Sequence, residues 1–345
     1  GDVTLLAVKI RATSNLNTST AKQLNVIATR KLLHRDPSSG LWYDEPVATR
    51  SIIWAFVDVF RSLYGARITD DRFFDWDALY ELEGLYEERN EHFDWIFRDP
   101  ISVWEAAKAI AKVGRAVPLV NGSMLTIRRD GIATVPVALF GPDNIVKDTF
   151  SWDIRLWELE ENDSLSVEYT EPSTGYKGEQ VLCTLPGGTS DNPKDVRFAG
   201  IQDRDHAHRE GLFLLASDLY LRESISFETG MEGFLPSYGD LIAISHDTPR
   251  WGQSGYVVAV EDSSEASAFV YRIHVSEPLT FHTEESGGNQ IMFRDKLGDI
   301  LGPFPAMVTT DPKIVEVEID SVLGYDVDFL LGGRTEPMLF LFGIA

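Results

Sequence analysis

The hydrophobic period of this sequence changes twice, and these changes constrain the fold more than any other feature. LNVIATRKL (24–32) alternates apolar and polar side chains, which is typical of a half-buried β-strand. From residue 48 to residue 131 apolar side chains recur mainly at helical spacing, and after residue 132 short strand-like segments return. The pattern predicts a small α+β module inserted between β segments. The expected fold class is therefore α+β and β-rich.

Residues 1–47 are expected to form the first strands of the β part. VTLLAVKIRAT (3–13) and KQLNVIATRKL (22–32) read as two strands that a polar turn joins. The chain starts with Gly1 and enters the first of these segments almost at once. From that start we expect a fragment of a longer protein.

Three helices are predicted inside the module of residues 48–131. The first covers apolar residues that begin with Ile52 and recur at helical spacing. Asp75 is the expected N-cap of the second helix. For the third, Asp99 is the expected cap and Pro100 takes the first turn, where its missing N–H has no cost.

A strand and a hairpin complete the predicted module. HFDWIF (92–97) is apolar enough to predict a strand before the third helix, and AVPLVNGSMLTIRRDG (116–131) predicts a hairpin after it. Within that hairpin, Asn121 and Gly122 form a strong two-residue turn signal, because both residue types tolerate positive φ.

Residues 132–310 predict a β domain with one helix near residues 204–222. The many short strands, separated by turn residues, are typical of a barrel or a sandwich. Either Asp203 or Asp205 is the expected N-cap of the helix. Residues 311–345 contain further C-terminal strands, whose domain assignment the sequence leaves open.

The composition argues against several classes of protein. The net charge of −23 opposes specific nucleic-acid binding, which needs clustered Lys and Arg. The single cysteine, Cys183, excludes an intrachain disulfide and a cysteine-only zinc site. Because it lies in the alternating stretch EQVLCTL, we expect it to be a buried small hydrophobe. We expect no membrane span, since no apolar run approaches the required length.

The loop GFLPSYGDLIAIS (233–245) carries residues that suit either an active site or a sharp corner. Pro236 fixes φ, Gly239 accepts positive φ, and Asp240 can accept hydrogen bonds from nearby backbone amides. The later GQSG (252–255) misses the G-x-S-x-G spacing of a serine-hydrolase elbow. We therefore interpret Pro236, Gly239 and Asp240 as a structural turn.

The histidines do not match a metal site. His206 and His208 lie two apart on the predicted helix, so they should point to different faces. Other possible ligands fall in loops at spacings that match no zinc motif: His246, Asp247, His282, Glu284 and Glu285. No phosphate-binding or dinucleotide-binding motif is present. The expectation is that the chain has no catalytic residue, no cofactor and no metal.

Two further groups of residues have structural interpretations. The acidic residues of the second helix are expected to form its solvent-exposed face: Glu81, Glu83, Glu87 and Glu88. The eight tryptophans are scattered along the chain, and core packing explains them better than a sugar-binding platform.

The order of segments resembles one known family. SVWEAAKAIAK (102–112) leads to LTIRRDG (125–131), and LASDLYLRES (215–224) is followed by a strand and by LPSYGDLIAI (235–244). This succession, over residues 3–310, resembles the tail-tip attachment or host-specificity protein J family of long-tailed phages. The likeness rests on extended order and not on a short catalytic signature.

The resemblance implies a structural role in a virion. It implies β-barrel hub domains with an inserted α+β domain, assembled as a homotrimer in the host cytoplasm at the phage tail tip. The expected partners are other tail-tip and tail-tube proteins, and a host receptor that is bound through regions absent from this chain. The implied function is to link the tail tube to the receptor-binding fibre region and to assist host attachment and DNA delivery.

Two other functions remain open from the sequence. A tail-associated enzyme that degrades cell wall or glycans would need two carboxylates about 5 to 10 Å apart across a cleft. A receptor-binding module should expose an aromatic patch to solvent.

Overall fold

A computed structural model describes residues 26–156, 162–247, 251–262, 270–281, 288–294, 299–319 and 338–344. The chain divides into two compact units, Gly1–Arg50 and Ser51–Ala345. Four α-helices and a closed six-stranded barrel lie within the described residues. The expected β-rich α+β fold class is confirmed.

The first unit contains one short strand pair. β1 (Lys31–Leu32) pairs antiparallel with β2 (Val47–Ala48). The strand predicted at 3–13 and the beginning of the one predicted at 22–32 lie outside the described residues. The insertion of residues 48–131 therefore stays a prediction.

All three predicted helices of the module are present. Of the two N-caps predicted for them, one is correct and one is wrong. The helices are α1 (Ile52–Arg61), α2 (Trp76–Glu88) and α3 (Val103–Val113). Asp75 caps α2 as expected, accepting from the Ala78 N–H at 3.3 Å. The prediction that Asp99 caps α3 is wrong, because the Ser102 hydroxyl accepts from the Glu105 N–H at 3.1 Å. Ser followed three residues later by Glu is the sequence pattern of a capping box.

The predicted hairpin is present, with its turn one residue later than expected. β3 (Ala116–Asn121) pairs with β4 (Met124–Arg129), and Asn121 lies opposite Met124, so that Gly122 and Ser123 form the turn. Gly122 has a φ of +61°. The strand predicted at 92–97 is wrong: this segment is irregular, and its Asp94 N–H donates to the Gly200 carbonyl at 2.9 Å.

The middle of the chain contains three small sheets and one helix. The strands are β5 (Ala138–Phe140), β6 (Ser151–Ile154), β7 (Ser164–Glu171), β8 (Lys177–Thr184), β9 (Pro193–Arg197), β10 (Glu223–Ser226) and β11 (Ile242–Ile244). β5 pairs parallel with β11, β6 pairs antiparallel with β10, and the third sheet has the order β8–β7–β9. The predicted helix is α4 (Arg204–Tyr220), which packs on β7 and β8 and is capped by Asp203.

The C-terminal part of the chain forms the closed barrel. Its strands are β12 (Gln253–Asp262), β13 (Val270–Val275), β14 (Asn289–Arg294), β15 (Ile300–Val308), β16 (Ile314–Glu318) and β17 (Leu339–Ile344). They close in the order β12–β13–β16–β15–β14–β17 around a core that includes Phe293, Phe340 and Phe342. The strands after residue 310, left unassigned from sequence, are therefore barrel strands.

Candidate functional site

The loop that carries the predicted structural turn has the geometry of a tight corner. Gly239 has a φ of +87°, and a Cβ built on it would lie 2.9 Å from Cγ of Arg128. The Ser237 N–H donates to Asp240 Oδ2 at 2.8 Å, and the Arg128 guanidinium pairs with the same carboxylate. The structural turn of Pro236, Gly239 and Asp240 remains a proposal, which this geometry supports.

The polar residues next to that loop have packing roles where they are described. The His246 ring stacks on Phe150, with centroids 3.8 Å apart and planes 12° apart, and its backbone pairs with Trp251. His282, Glu284 and Glu285 lie outside the described residues.

A network of charged side chains with a buried centre of Glu91, His206 and Glu210 lies where α4 meets the α+β module. We call it the buried ion network; its members are Arg89, Glu91, Arg115, Arg129, His206, Arg209 and Glu210. The Glu91 side chain has no exposed surface and accepts from Arg89 at 2.7 Å and from Arg129 at 2.6 Å. Arg209 approaches the same carboxylate at 3.6 Å. Glu91 is thus surrounded by three guanidinium groups, and the hydrogen bonds from Arg129 and Arg89 keep its pKa below the usual value despite burial.

The second carboxylate of the network has its own arginine. Glu210 accepts two hydrogen bonds from Arg115, from Nε at 3.0 Å and from Nη2 at 2.9 Å. The Arg115 guanidinium also lies 3.9 Å from the ring centroid of Phe213. A two-point contact of this kind fixes orientation as well as charge. It joins α4 to the residue that precedes β3.

His206 lies close to both carboxylates. Its Nε2 is 2.9 Å from the Val113 carbonyl, which can only accept, so Nε2 carries the hydrogen. Burial lowers the pKa of His206, which favours the neutral ring. His206 and His208 point to different surroundings, as their spacing predicted, since His206 is buried and His208 is partly exposed.

The spacing of Glu91, His206 and Glu210 superficially resembles a metal site. One ligand atom from each lies within 4.8 Å of the others. The two carboxylates are nevertheless bound by four guanidinium groups, and this surplus of positive charge disfavours a cation. We therefore interpret the network as structural. Sequence reasoning missed it because its members come from four separate parts of the chain and follow no motif.

One residue of the predicted solvent-exposed face of α2 is not exposed. Glu83 is partly buried, and the Ser51 hydroxyl donates to it at 2.5 Å. Burial raises the pKa of Glu83 to about 7, with a smaller contribution from Glu87. Helical spacing alone could not show this, because the partner is the N-cap of α1. Glu81, Glu87 and Glu88 are exposed as expected.

Cys183 lies in the core as predicted. Of the tryptophans, some lie in the core and others are exposed. Cys183 is fully buried, and burial raises the pKa of its thiol to about 11, so the thiolate is strongly disfavoured. Trp54 is buried and its ring lies near that of Trp76, with centroids 6.3 Å apart. Trp95 and Trp152 are exposed, which core packing does not explain.

Two exposed apolar surfaces are the features best suited to binding a partner. We call the first the apolar loop: Met231, Phe234, Leu235 and Tyr238, of which Met231 is 84% and Phe234 is 88% exposed. The second is an open groove of about 560 Å³, which we call the apolar groove; it is lined by Ile154, Arg155, Leu156, Tyr220, Leu221, Arg222 and Glu223. Exposed apolar residues that cluster in this way mark interaction sites more often than single ones do.

No helix among the described residues is both long enough and apolar enough to cross a membrane.

Comparison with known proteins places the chain near phage tail proteins. Residues 102–259 match the family model Phage-tail_3, described as "Putative phage tail protein". The Tip attachment protein J of Escherichia phage SECphi27 is 25% identical over 248 residues, which are 68% of this chain and 19% of that protein. The chain thus spans about a fifth of the length of this relative. The resemblance expected from the order of segments is confirmed.

A solved structure is also similar in part. The crystal structure of the tail protein from Neisseria meningitidis MC58 is 14% identical and has a TM-score of 0.35. The match covers 71% of this chain and 67% of that one. A superposition this loose has no bearing on function.

Proposed function

We propose that this chain is a structural component of a phage tail tip, a hub that links the tail tube to the receptor-binding fibre region. The observation that carries the proposal is the similarity to a tip attachment protein over 68% of the chain. In this role the chain assists host attachment and DNA delivery. The receptor itself is bound by parts of the protein beyond this chain.

The fold suits a part that transmits force and holds neighbours in place. A closed barrel has no unpaired strand edges, so it resists shear and unwanted pairing. The buried ion network joins α4 to the α+β module through the two Arg115–Glu210 hydrogen bonds of 3.0 and 2.9 Å and through Arg209, which donates to the Arg89 carbonyl at 2.9 Å. These features support a rigid element that works by assembly. We infer a homotrimer, with tail-tube and other tail-tip proteins as partners, from the similarity to a tip attachment protein. Assembly takes place in the host cytoplasm and the product is located in the virion tail.

Catalysis is not part of the proposal. The apolar groove contains one carboxylate, Glu223, whereas glycoside hydrolysis ordinarily uses two. Glu91 and Glu210 are close together, but both are buried and bound to arginines. Neither arrangement offers a substrate a general acid and a second carboxylate in one cleft.

Receptor binding is a second candidate, which the exposed aromatic side chains of the apolar loop favour. Phe234 and Tyr238 are 88% and 70% exposed, as a recognition surface requires. If this candidate is right, the purified chain should bind susceptible host cells, and Phe234→Ala should reduce that binding at least tenfold.

The tail-tip proposal can be tested on virions. In a phage that carries this gene, the protein is tagged and gold-labelled, and the particles are imaged by electron microscopy. We expect label at the distal end of the tail and threefold density that contains this segment. Label along the whole tube, or none on the particle, would contradict the proposal. So would cleavage of glycan or peptide by the purified chain that a single Glu→Gln change abolishes.

A further inference from the structure

The buried ion network contains more positive than negative charge. Arg115 and Glu210 form a two-point pair that is neutral as a whole. Around Glu91, by contrast, three guanidinium groups share one carboxylate: those of Arg89, Arg129 and Arg209. His206 adds no charge at neutral pH, because burial lowers its pKa. The network therefore carries a surplus of two positive charges.

The surroundings of Glu91 offset this surplus only in part. Glu87 and Glu88, in the last turn of α2, are exposed, and among the described residues neither forms an ion pair with an arginine of the network. Asp205 of α4 lies 3.9 Å from Arg204, which is outside the network. The carbonyl groups at the C-terminal end of α2 contribute about half a negative charge. More than one positive charge is left unbalanced.

Arg89 and Arg209 lie side by side at the solvent-accessible edge of the network. Both approach the same oxygen atom, Glu91 Oε1, at 2.7 and 3.6 Å. Each of the two side chains is 34% exposed, whereas those of Arg115 and Arg129 are 18% and 8% exposed. An ion that arrives from solvent can therefore reach Arg89 and Arg209, and it meets two guanidinium groups together.

Both guanidinium groups retain hydrogen-bond donors. Arg89 donates to Glu91 through Nε, which leaves its two terminal nitrogens without an acceptor among the described residues. Arg209 uses Nη2 for the Arg89 carbonyl, at 2.9 Å, and its buried Nε has no hydrogen-bond partner within the described part of the chain. A buried N–H without an acceptor is costly, and an anion bound next to the same guanidinium reduces this cost by electrostatic attraction.

The two groups are held in position by the fold itself. Glu91, whose side chain has no exposed surface, holds Arg89, and the Arg89 carbonyl holds Arg209. Donors that are already ordered lose little conformational entropy when a ligand binds. A guanidinium group can also donate two parallel hydrogen bonds to two oxygens of one phosphate or sulfate group. Position, charge and donor geometry thus all suit an oxyanion.

We propose that Arg89 and Arg209 form a binding site for a phosphate-like oxyanion at the exposed edge of the buried ion network. The ligand is a tetrahedral dianion, either a free ion or a phosphate group carried on a small molecule. Its two negative charges balance the two surplus positive charges, and it strengthens the contact of α4 with the α+β module. The inference rests on the network alone and goes beyond the tail-tip function.

Isothermal titration calorimetry of the 345-residue chain with inorganic phosphate tests the site, with sodium chloride at the same ionic strength as the blank. We expect saturable binding of one phosphate per chain. Arg89→Gln and Arg209→Gln each remove one guanidinium group, and each should weaken binding by about tenfold or more. Arg204→Gln is the matched control, because Arg204 is an exposed arginine of the same helix as Arg209. This variant should bind phosphate like the unmodified chain.

Three results would overturn the proposal. They are no phosphate binding beyond the chloride blank, binding that both Arg89→Gln and Arg209→Gln leave intact, and an equal loss of binding in Arg204→Gln. Circular dichroism of each variant at the temperature of the titration shows whether it is folded.

Chemical modification of arginine gives a measurement that needs no variant. Phenylglyoxal reacts with accessible guanidinium groups, and peptide mass spectrometry gives the rate at each arginine of the unmodified sequence. Saturating phosphate should slow the modification of Arg89 and Arg209 by about threefold or more and leave that of Arg204 unchanged. Equal rates at Arg89 and Arg209 with and without phosphate would refute the site, even where a variant fails to fold.

Glycerol phosphate as a second ligand distinguishes the two sources of the phosphate group. If it binds as tightly as inorganic phosphate, the site accepts a phosphate carried on a larger molecule. If only inorganic phosphate binds, the ligand is the free ion; either result supports the site. Labelling of the tail tip is independent of these titrations, so the two proposals can fail separately.

Discussion

Glu83 shows how burial can reverse the usual behaviour of an acidic residue, even though its hydrogen bond from Ser51 favours the charged form. Its carboxyl is partly buried and accepts from the Ser51 hydroxyl, and its pKa is raised to about 7 from an ordinary 4.5. The folded protein therefore binds this proton more tightly than the unfolded chain does. Its contribution to stability is complete below the unfolded pKa and is lost as pH rises through about 7.

Glu83→Gln should remove this pH dependence. At pH 8 the variant is expected to be more stable than the original chain by on the order of 1 to 2 kcal/mol, and near pH 4 the two should be similar. Urea denaturation at several pH values measures the difference. Glu81→Gln is the control, because Glu81 is an exposed acid of the same helix. Equal pH profiles for the two variants would contradict the buried state of Glu83.

Gly239 is the residue on which the proposed structural turn depends most. Its φ of +87° disfavours any side chain, and a Cβ there meets Arg128. Gly239→Val should lower the free energy of unfolding by about 1 to 3 kcal/mol without affecting any specific chemistry. Gly131→Val is a suitable control, since a Cβ at Gly131 would have open space. A Gly239→Val variant with an unchanged melting temperature would show that the turn is not needed.

Helix α4 lies on its sheet at a distance that only a glycine permits. A Cβ on Gly211 would lie 2.5 Å from Cys183 Sγ and 2.7 Å from Val167 Cγ2. Gly211→Ala should therefore destabilise the fold by about 1 to 3 kcal/mol through overpacking. Gly84→Ala on α2 is the matched control: its Cβ would have open space, so it should stabilise by up to about 1 kcal/mol. Thermal melts of both variants measure the contrast, and a stabilising Gly211→Ala would refute the close packing.

The buried ion network depends on arginines that neutralise Glu91, whose side chain has no exposed surface. Arg129→Met leaves the fully buried Glu91 without its closest partner and should cost about 3 to 5 kcal/mol. The exposed pair Lys108–Glu105 provides the comparison, and Lys108→Met should cost less than about 0.5 kcal/mol. Equilibrium unfolding in urea separates the two cases. Similar small losses for both would mean that the network contributes little to stability.

The barrel pairs the C-terminal strands β16 and β17 with strands from earlier in the chain. Ending the chain after residue 310 would remove β16 and β17, so that each of the other four barrel strands loses a neighbour. Two separate strand pairs are marginally stable in water. We expect residues 253–308 of the shortened chain to be cleaved by protease at least about tenfold faster than in the full chain. Equal protection would show that the barrel tolerates opening.

Local features of this protein could be predicted because neighbours in sequence carry them. Asp75 caps α2 through an amide three residues away, and the hairpin of β3 and β4 follows from a turn signal with flanking apolar residues. The prediction of Asp99 as the cap of α3 was wrong because Asp99 and Ser102 are both capping residue types, and Pro100 suggested a helix that begins directly after Asp99. β15 is hard to predict from sequence because Pro303 and Pro305 interrupt its alternation, although prolines are tolerated where a ladder bond is absent.

Contacts between residues far apart in sequence could be identified only from the folded structure. β5 pairs in parallel with β11, and strands after residue 310 close the barrel. Arg129 and Arg209 reach Glu91 from parts of the chain far away in sequence. Hydrophobic pattern shows that a strand has a face to bury, but not which distant strand lies beside it. Likewise, the desolvation that raises the pKa of Glu83 and lowers that of His206 depends on what packs around them. Propensity and capping act within a few residues, whereas pairing and burial are properties of the whole fold.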